Sequence, residues 1–150
     1  MPRIAVGVDG SEGSRQALLW AVNEATLRGA SLDVVYSYEH HPRSLIHGRD
    51  ESLSAAQVEA IREDRESASR EAAEHAQSLV DRILDDLEAP SLEGRAVESS
   101  NPAETLVELS KGADMLVVGS RGRGGFRSLV LGSVSQQCAQ HAECPVVIIR

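Results

Sequence analysis

The sequence predicts an α/β fold built on a mostly parallel sheet, and three observations lead there. Five short apolar runs alternate along the chain with four segments of helical periodicity, the pattern of parallel strands joined by helical crossovers. The runs at 4–8 and 115–118 are apolar throughout, as in strands covered on both faces. The second of these passes into a segment with glycines at 119, 122, 124 and 125, then Gly132, then a helical pattern. Strand, glycine loop and helix start, in that order, suit anion binding, because glycines let backbone N–H groups approach a phosphate and the helix start adds free donors.

Each element carries its own signal. The first strand, 4–8, ends at Asp9-Gly10-Ser11. A helix over 12–28 follows: Leu18, Ala21, Val22 and Ala25 keep the helical spacing, Ser11 stands at its cap and Gly29 closes it. The second strand is 32–38. Residues 39–51 form a polar loop with His40, His41 and His47, and no acidic or cysteine partner at ligand spacing, so a solvated loop is expected rather than a metal site. The second helix, 54–87, has a stripe at Ala68, Ala72, Ala76, Leu79, Ile83 and Leu87 and a charged, exposed first half. Ala89-Pro90 breaks it, and 92–97 is the third strand. Asn101-Pro102-Ala103-Glu104 starts the third helix with an Asn cap, a proline at the first position and an acid at the third. The fourth strand is 115–118, the fourth helix 133–142 and the fifth strand 145–149. No internal repeat or second domain is visible, so one domain is expected over 1–150.

Composition removes several functions. The formal charge is −8 at pH 7, which argues against a nucleic-acid binder, and aromatics at 3% leave little for base stacking. Against this acidic background, Arg121, Arg123 and Arg127 concentrate positive charge beside the glycines. There is no long apolar stretch and no signal-peptide core at the start, so no membrane partner and a cytoplasmic location are expected. Cys138 and Cys144 cannot build a disulfide framework and read as small core residues.

Spacing narrows the anion site. A Walker-type loop needs Gly-Lys-Ser/Thr, and the chain's one lysine, Lys111, precedes the strand. The dinucleotide fingerprint belongs in the first strand–helix turn, which here is Val8-Asp9-Gly10-Ser11 without a glycine triplet. Gly119, two residues, Gly122, nine residues, Gly132 and Ser133 instead resembles the nucleotide-binding signature of the ATP-binding universal stress proteins. The resemblance extends over nearly the whole chain, through 4–11 (Ile-Ala-Val-Gly-Val-Asp-Gly-Ser), 113–122 (Ala-Asp-Met-Leu-Val-Val-Gly-Ser-Arg-Gly) and 144–149 (Cys-Pro-Val-Val-Ile-Ile).

That resemblance implies a doubly wound sheet of order 3-2-1-4-5, whose topological switch lies between strands 1 and 4. It implies an ATP site with Mg²⁺ there, made by Val8, Asp9, Ser37, Gly119, Arg121, Gly122, Arg123, Gly132, Ser133, Val134 and Ser135. In this reading the first turn at Ser133–Ser135 offers backbone N–H groups to the phosphates, with the Ser133 and Ser135 hydroxyls as further donors. Ser133 could equally be a plain helix cap. Gly122 and Gly132 allow close backbone approach, and Gly119 leaves room for ribose. Asp9 lies near the ribose and helps hold Mg²⁺, or else caps the first helix; Ser37 lies beside the adenine, where the family contact is through backbone. Ser100-Asn101-Pro102 departs from the family pattern, in which a glycine often precedes the proline, and narrows the pocket.

No serine–histidine–acid set, carboxylate pair or catalytic lysine falls at this crevice, so at most slow ATP hydrolysis is expected. Three readings stay open: an ATP-binding stress-response protein, an ATP-dependent enzyme with its acid or base in 39–51, and a dimeric interaction module with a vestigial pocket. ATP is not separated from a cyclic adenine nucleotide. The apolar fifth strand, at the sheet edge in this order, predicts a homodimer by antiparallel edge pairing, the interface that the resemblance also implies.

Overall fold

The computed structural model describes residues 1–38, 54–87, 92–122 and 131–150. Its elements run β1 (Arg3–Val8), α1 (Glu12–Arg28), β2 (Ser31–Tyr38), α2 (Ala55–Asp86), β3 (Glu93–Glu98), α3 (Pro102–Ser110), β4 (Met115–Gly119), α4 (Ser133–His141) and β5 (Val146–Ile149). The four strand pairings are parallel and the sheet order is β3-β2-β1-β4-β5, as the resemblance implied. Element boundaries differ from the sequence reading by about one residue at each end.

Side-chain alternation splits the core in two. Ile4, Val6 and Val8 of β1 join Leu18 of α1, and Val80 and Leu84 of α2, on one face of the sheet. Ala5, Val35, Leu116 and Val118 join Leu106 of α3 and Cys138 of α4 on the other. Successive residues point to opposite faces, so strands covered by helices on both sides need apolar residues throughout. Burial, with Cys144 nearby, pushes the Cys138 thiol up to about 11, so it stays protonated at neutral pH and behaves as a core residue.

Two helices sit differently from their sequence stripes. On α1 the buried residues are Ser14, Ala17, Leu18, Ala21 and Ala25, with Val22 only half-buried. Small residues line this face because the helix lies very close to the sheet. On α2 the deepest residues are Ala76, Val80 and Leu84, while Leu79, Ile83 and Leu87 are half-buried. The helix is turned by one residue so that Val80 and Leu84 meet β3 at Gly94, where an added Cβ would lie 2.2 Å from Val80 Cγ1. The first half of α2 is exposed as expected, and it is well started by a Ser54–Gln57 capping box.

Candidate functional site

The site is built at the carboxyl ends of β1 and β4, where the chain connections diverge to opposite faces. After β1 the chain turns at Gly10, whose φ of 80° favours glycine. The Asp9 carboxylate stabilises that turn by accepting from the Ser11 N–H at 2.9 Å through Oδ1. Ser11 then caps α1, its Oγ accepting from the Ser14 N–H. Ser14 is buried, donates its hydroxyl to the Ser11 carbonyl and accepts from the Asp9 N–H. The cap of α1 is therefore Ser11, and Asp9 orders the turn before it. The other Asp9 oxygen, Oδ2, faces Gly122, where an added Cβ would stand 2.6 Å away.

After β4, both stems of the glycine loop are pinned. The Gly132 N–H donates to the Ser120 carbonyl at 2.7 Å, and the Ser120 N–H donates to Ile149 of β5 at 2.7 Å. The Ser135 hydroxyl is buried and directed at the carbonyls of Ser120 and Gly132, 3.0 Å from each. It braces the stem, which corrects the expectation of a hydroxyl donor to phosphate. Gly132, not Ser133, is the cap of α4, and it brings no side-chain cap hydrogen bond. Ser133 is the first helical residue and is exposed. The helix start thus meets the cleft with backbone donors that no described side chain caps, carrying the partial positive charge of the helix end.

Between these stems lies a cavity of about 380 Å³. Val8, Asp9, Ser37, Gly119, Arg121, Gly122, Gly132, Ser133, Val134 and Ser135 all line it. Arg123, the remaining residue of the expected set, lies outside the described residues, as do Arg127 and the histidines of 39–51. Pro102 and Leu106 of α3 form the opposite wall, so Pro102 borders the space it was expected to narrow. Among the described residues, Ser37 Oγ is a buried oxygen without a hydrogen-bond partner, an arrangement that costs stability unless something else satisfies it.

The glycines have separate reasons. At Gly119 a Cβ would fall 2.8 Å from the carbonyl carbon and oxygen of Gly13, so the missing side chain makes room for α1. At Gly132 an added Cβ would meet nothing closer than 3.4 Å, ordinary contact, and φ is −75°. Packing within the described residues does not require glycine at 132. Sequence reading missed Gly13, whose Cβ would lie 2.8 Å from the Arg121 carbonyl. The available signal was a glycine in the first turn of a helix, a poor helix former whose placement marks close approach. It also missed Ser14 and Ser120, for which no pattern in the chain stands out.

The sequence profile described as the universal stress protein family matches residues 1–150. The chain belongs to this family. Among its relatives, a universal stress protein of Mycobacterium tuberculosis strain H37Rv is 35% identical over 151 residues, spanning 100% of this chain and 48% of the relative. One from Mycolicibacterium smegmatis is 32% identical over 146 residues, spanning 97% and 47%. This universal stress protein chain therefore spans about half the length of the curated relatives it matches. Among solved structures, UspA from Lactobacillus plantarum superposes with a TM-score of 0.66 at 22% identity, covering 99% of this chain and 97% of that one. A universal stress protein in complex with cAMP gives 0.59 at 25% identity, covering 99% and 96%. One from Archaeoglobus fulgidus in complex with dAMP gives 0.58 at 20%, covering 100% and 98%. Among the described residues, no helix is long and apolar enough to cross a membrane.

Proposed function

We propose that this universal stress protein is cytoplasmic and binds ATP through a nucleotide-binding domain over 1–150, in which nucleotide occupancy or slow turnover acts as a stress signal. The observation that carries the reading is the glycine-capped start of α4. Its backbone donors, which no described side chain caps, stand at a cavity of about 380 Å³ lined by Gly132, Ser133, Val134 and Ser135, and a Cβ at 132 would press on no described atom closer than 3.4 Å. Phosphates seat against the N–H groups of Ser133, Val134 and Ser135, with Arg121 at the rim. The heterocycle lies toward Ser37 and the ribose between Val8, Asp9 and Gly122. The unpartnered Ser37 oxygen fits a ligand that brings a hydrogen bond. The relatives solved with cAMP and with dAMP support an adenine nucleotide as the ligand class.

Mg²⁺ enters with the triphosphate. Among the described residues, no group of three or more His, Cys, Asp and Glu side chains could hold a metal ion, but a nucleotide-borne Mg²⁺ needs only one or two carboxylates beside the phosphates. Asp9 is that carboxylate. Calorimetry with ATP and with cAMP, each with and without Mg²⁺, tests the reading. No binding tighter than about 1 mM for either would overturn it. Asp9→Ala is expected to weaken ATP more with Mg²⁺ than in EDTA; an equal loss in both would assign Asp9 to the ribose.

Ser37→Ala gives effects of opposite sign in the empty and loaded protein. Without nucleotide the melting temperature is expected to hold or rise, because an unsatisfied hydroxyl worth about 1 kcal/mol or more of penalty is removed. The rise in melting temperature on adding ATP is expected to shrink. A drop for the empty protein would show that the hydroxyl is already satisfied by the fold.

The assembly is a homodimer through β5. The Leu116 and Ser120 N–H groups donate to the Pro145 and Ile149 carbonyls, so by alternation Val146 and Ile148 turn their backbone groups outward. Two such edges can pair antiparallel across a two-fold axis. Ile148→Pro removes an outward N–H and is expected to shift the dimer to monomer or aggregate. A wild type that scatters light as a monomer at micromolar concentration would end this assignment.

A further inference from the structure

Among the described residues, one side chain covers the backbone of the β3 edge of the sheet. On the β3 edge, Gln77 of α2 reaches over and bonds the strand backbone twice: its Nε2 donates to the Gly94 carbonyl at 3.0 Å, and its Oε1 accepts from the Ala96 N–H at 3.0 Å. Bonds to the carbonyl of one residue and the N–H two further on are those that a residue of a neighbouring parallel strand would make. The amide is held for this purpose. Its second N–H donates to Asp81 one turn along α2, at 2.9 Å, so both donors and the acceptor are used. Gln77 is half-buried on the flank of the stripe that packs Val80 and Leu84 against Gly94, and no alternative partner is needed to explain its position.

We infer that Gln77 is a surrogate strand that closes the β3 edge against a second copy of this chain, leaving the sheet a single edge for assembly. The occupant it excludes is the β3 of another molecule. An antiparallel register centred on Ala96 places Gly94 opposite Glu98 and Arg95 opposite Val97, so no like charges stand directly opposed along that pairing. It is self-complementary, as a two-fold contact must be. An unblocked edge of this kind is a template for pairing, and a molecule able to pair at both β3 and β5 would grow into open chains. The inference stands on the Gln77 contacts and holds whether or not β5 pairs.

The test replaces Gln77 with methionine, which keeps the length and the helix propensity but makes neither backbone bond, and with alanine as a second variant. Helix content by circular dichroism identifies variants that fold. Two changes are expected together: the Ala96 amide exchanges with solvent roughly tenfold faster, and the mass by light scattering rises with protein concentration above that of the wild type. Adding Ile148→Pro to Gln77→Met should limit growth to pairs. A folded variant, methionine or alanine, whose mass equals that of the wild type at every concentration overturns the inference, whatever its amide exchange.

Discussion

Gly119→Val is expected to destabilise the protein by about 3 kcal/mol or more, at the upper end of overpacking penalties. The Cβ alone would stand 2.8 Å from the Gly13 carbonyl and 3.1 Å from the Ser14 N. Those are backbone atoms in the first turn of α1, which cannot swing aside as a side chain can. Relief requires α1 to lift from β4, and that would also pull apart the Ser11–Ser14–Asp9 bonds that shape one wall of the cleft. Against a typical total stability of about 5–15 kcal/mol, the loss is large. Urea denaturation followed by circular dichroism measures it. A midpoint equal to that of the wild type would mean that the helix moves freely at this contact. Nucleotide binding should fall in parallel with folding, so Gly119 belongs to the scaffold.

Gly132→Val is expected to do the reverse: the fold stays and ATP is lost. The nearest atoms to an added Cβ, the Arg121 Cα and the Ser120 carbonyl oxygen, are 3.4 Å away, and the extended backbone at φ −75°, ψ 165° accepts any residue. A side chain there stands at the cap of α4, over the donors that a phosphate would use. ATP affinity should drop at least ~100-fold, about 2.7 kcal/mol, with the urea midpoint close to that of the wild type. Unchanged affinity by calorimetry would remove the α4 start from the site. Gly122→Ala is a poorer probe of the same idea. Its Cβ would press on Asp9 Oδ2 at 2.6 Å, so any loss would mix phosphate approach with displacement of the carboxylate.

The two glycines show how far one chain can be read. Both fall in a single spaced pattern, and as letters they are equivalent. In space, the hydrogen at 119 is pressed by a helix more than 100 positions earlier in the chain, while a Cβ at 132 would make only ordinary contacts with Ser120, Arg121 and Gly122. Serines divide in the same way: Ser133 and Ser135 are two positions apart on one helical turn, yet the second is turned inward to brace Ser120 and Gly132. The orphaned hydroxyl of Ser37 and the backbone grip of Gln77 have no counterpart in periodicity, because a side chain's hydrogen-bond partners are not encoded by its spacing.

The sequence by itself determined the element order, the parallel class, the caps at Ser11, Gly29 and Asn101, and the placement of a glycine-rich anion loop after a buried strand. Those follow from local physics: burial period, cap chemistry and backbone freedom act over a few neighbouring residues. The strand order came from the family resemblance, since chain order leaves it open. The tertiary structure alone decided which face of α1 and α2 is deepest, which glycine is pressed by backbone and which makes only ordinary contact, and which strand backbone Gln77 grips. Each of those depends on atoms brought within about 3 Å from distant parts of the chain, at hydrogen-bond and contact distances that only the assembled fold sets.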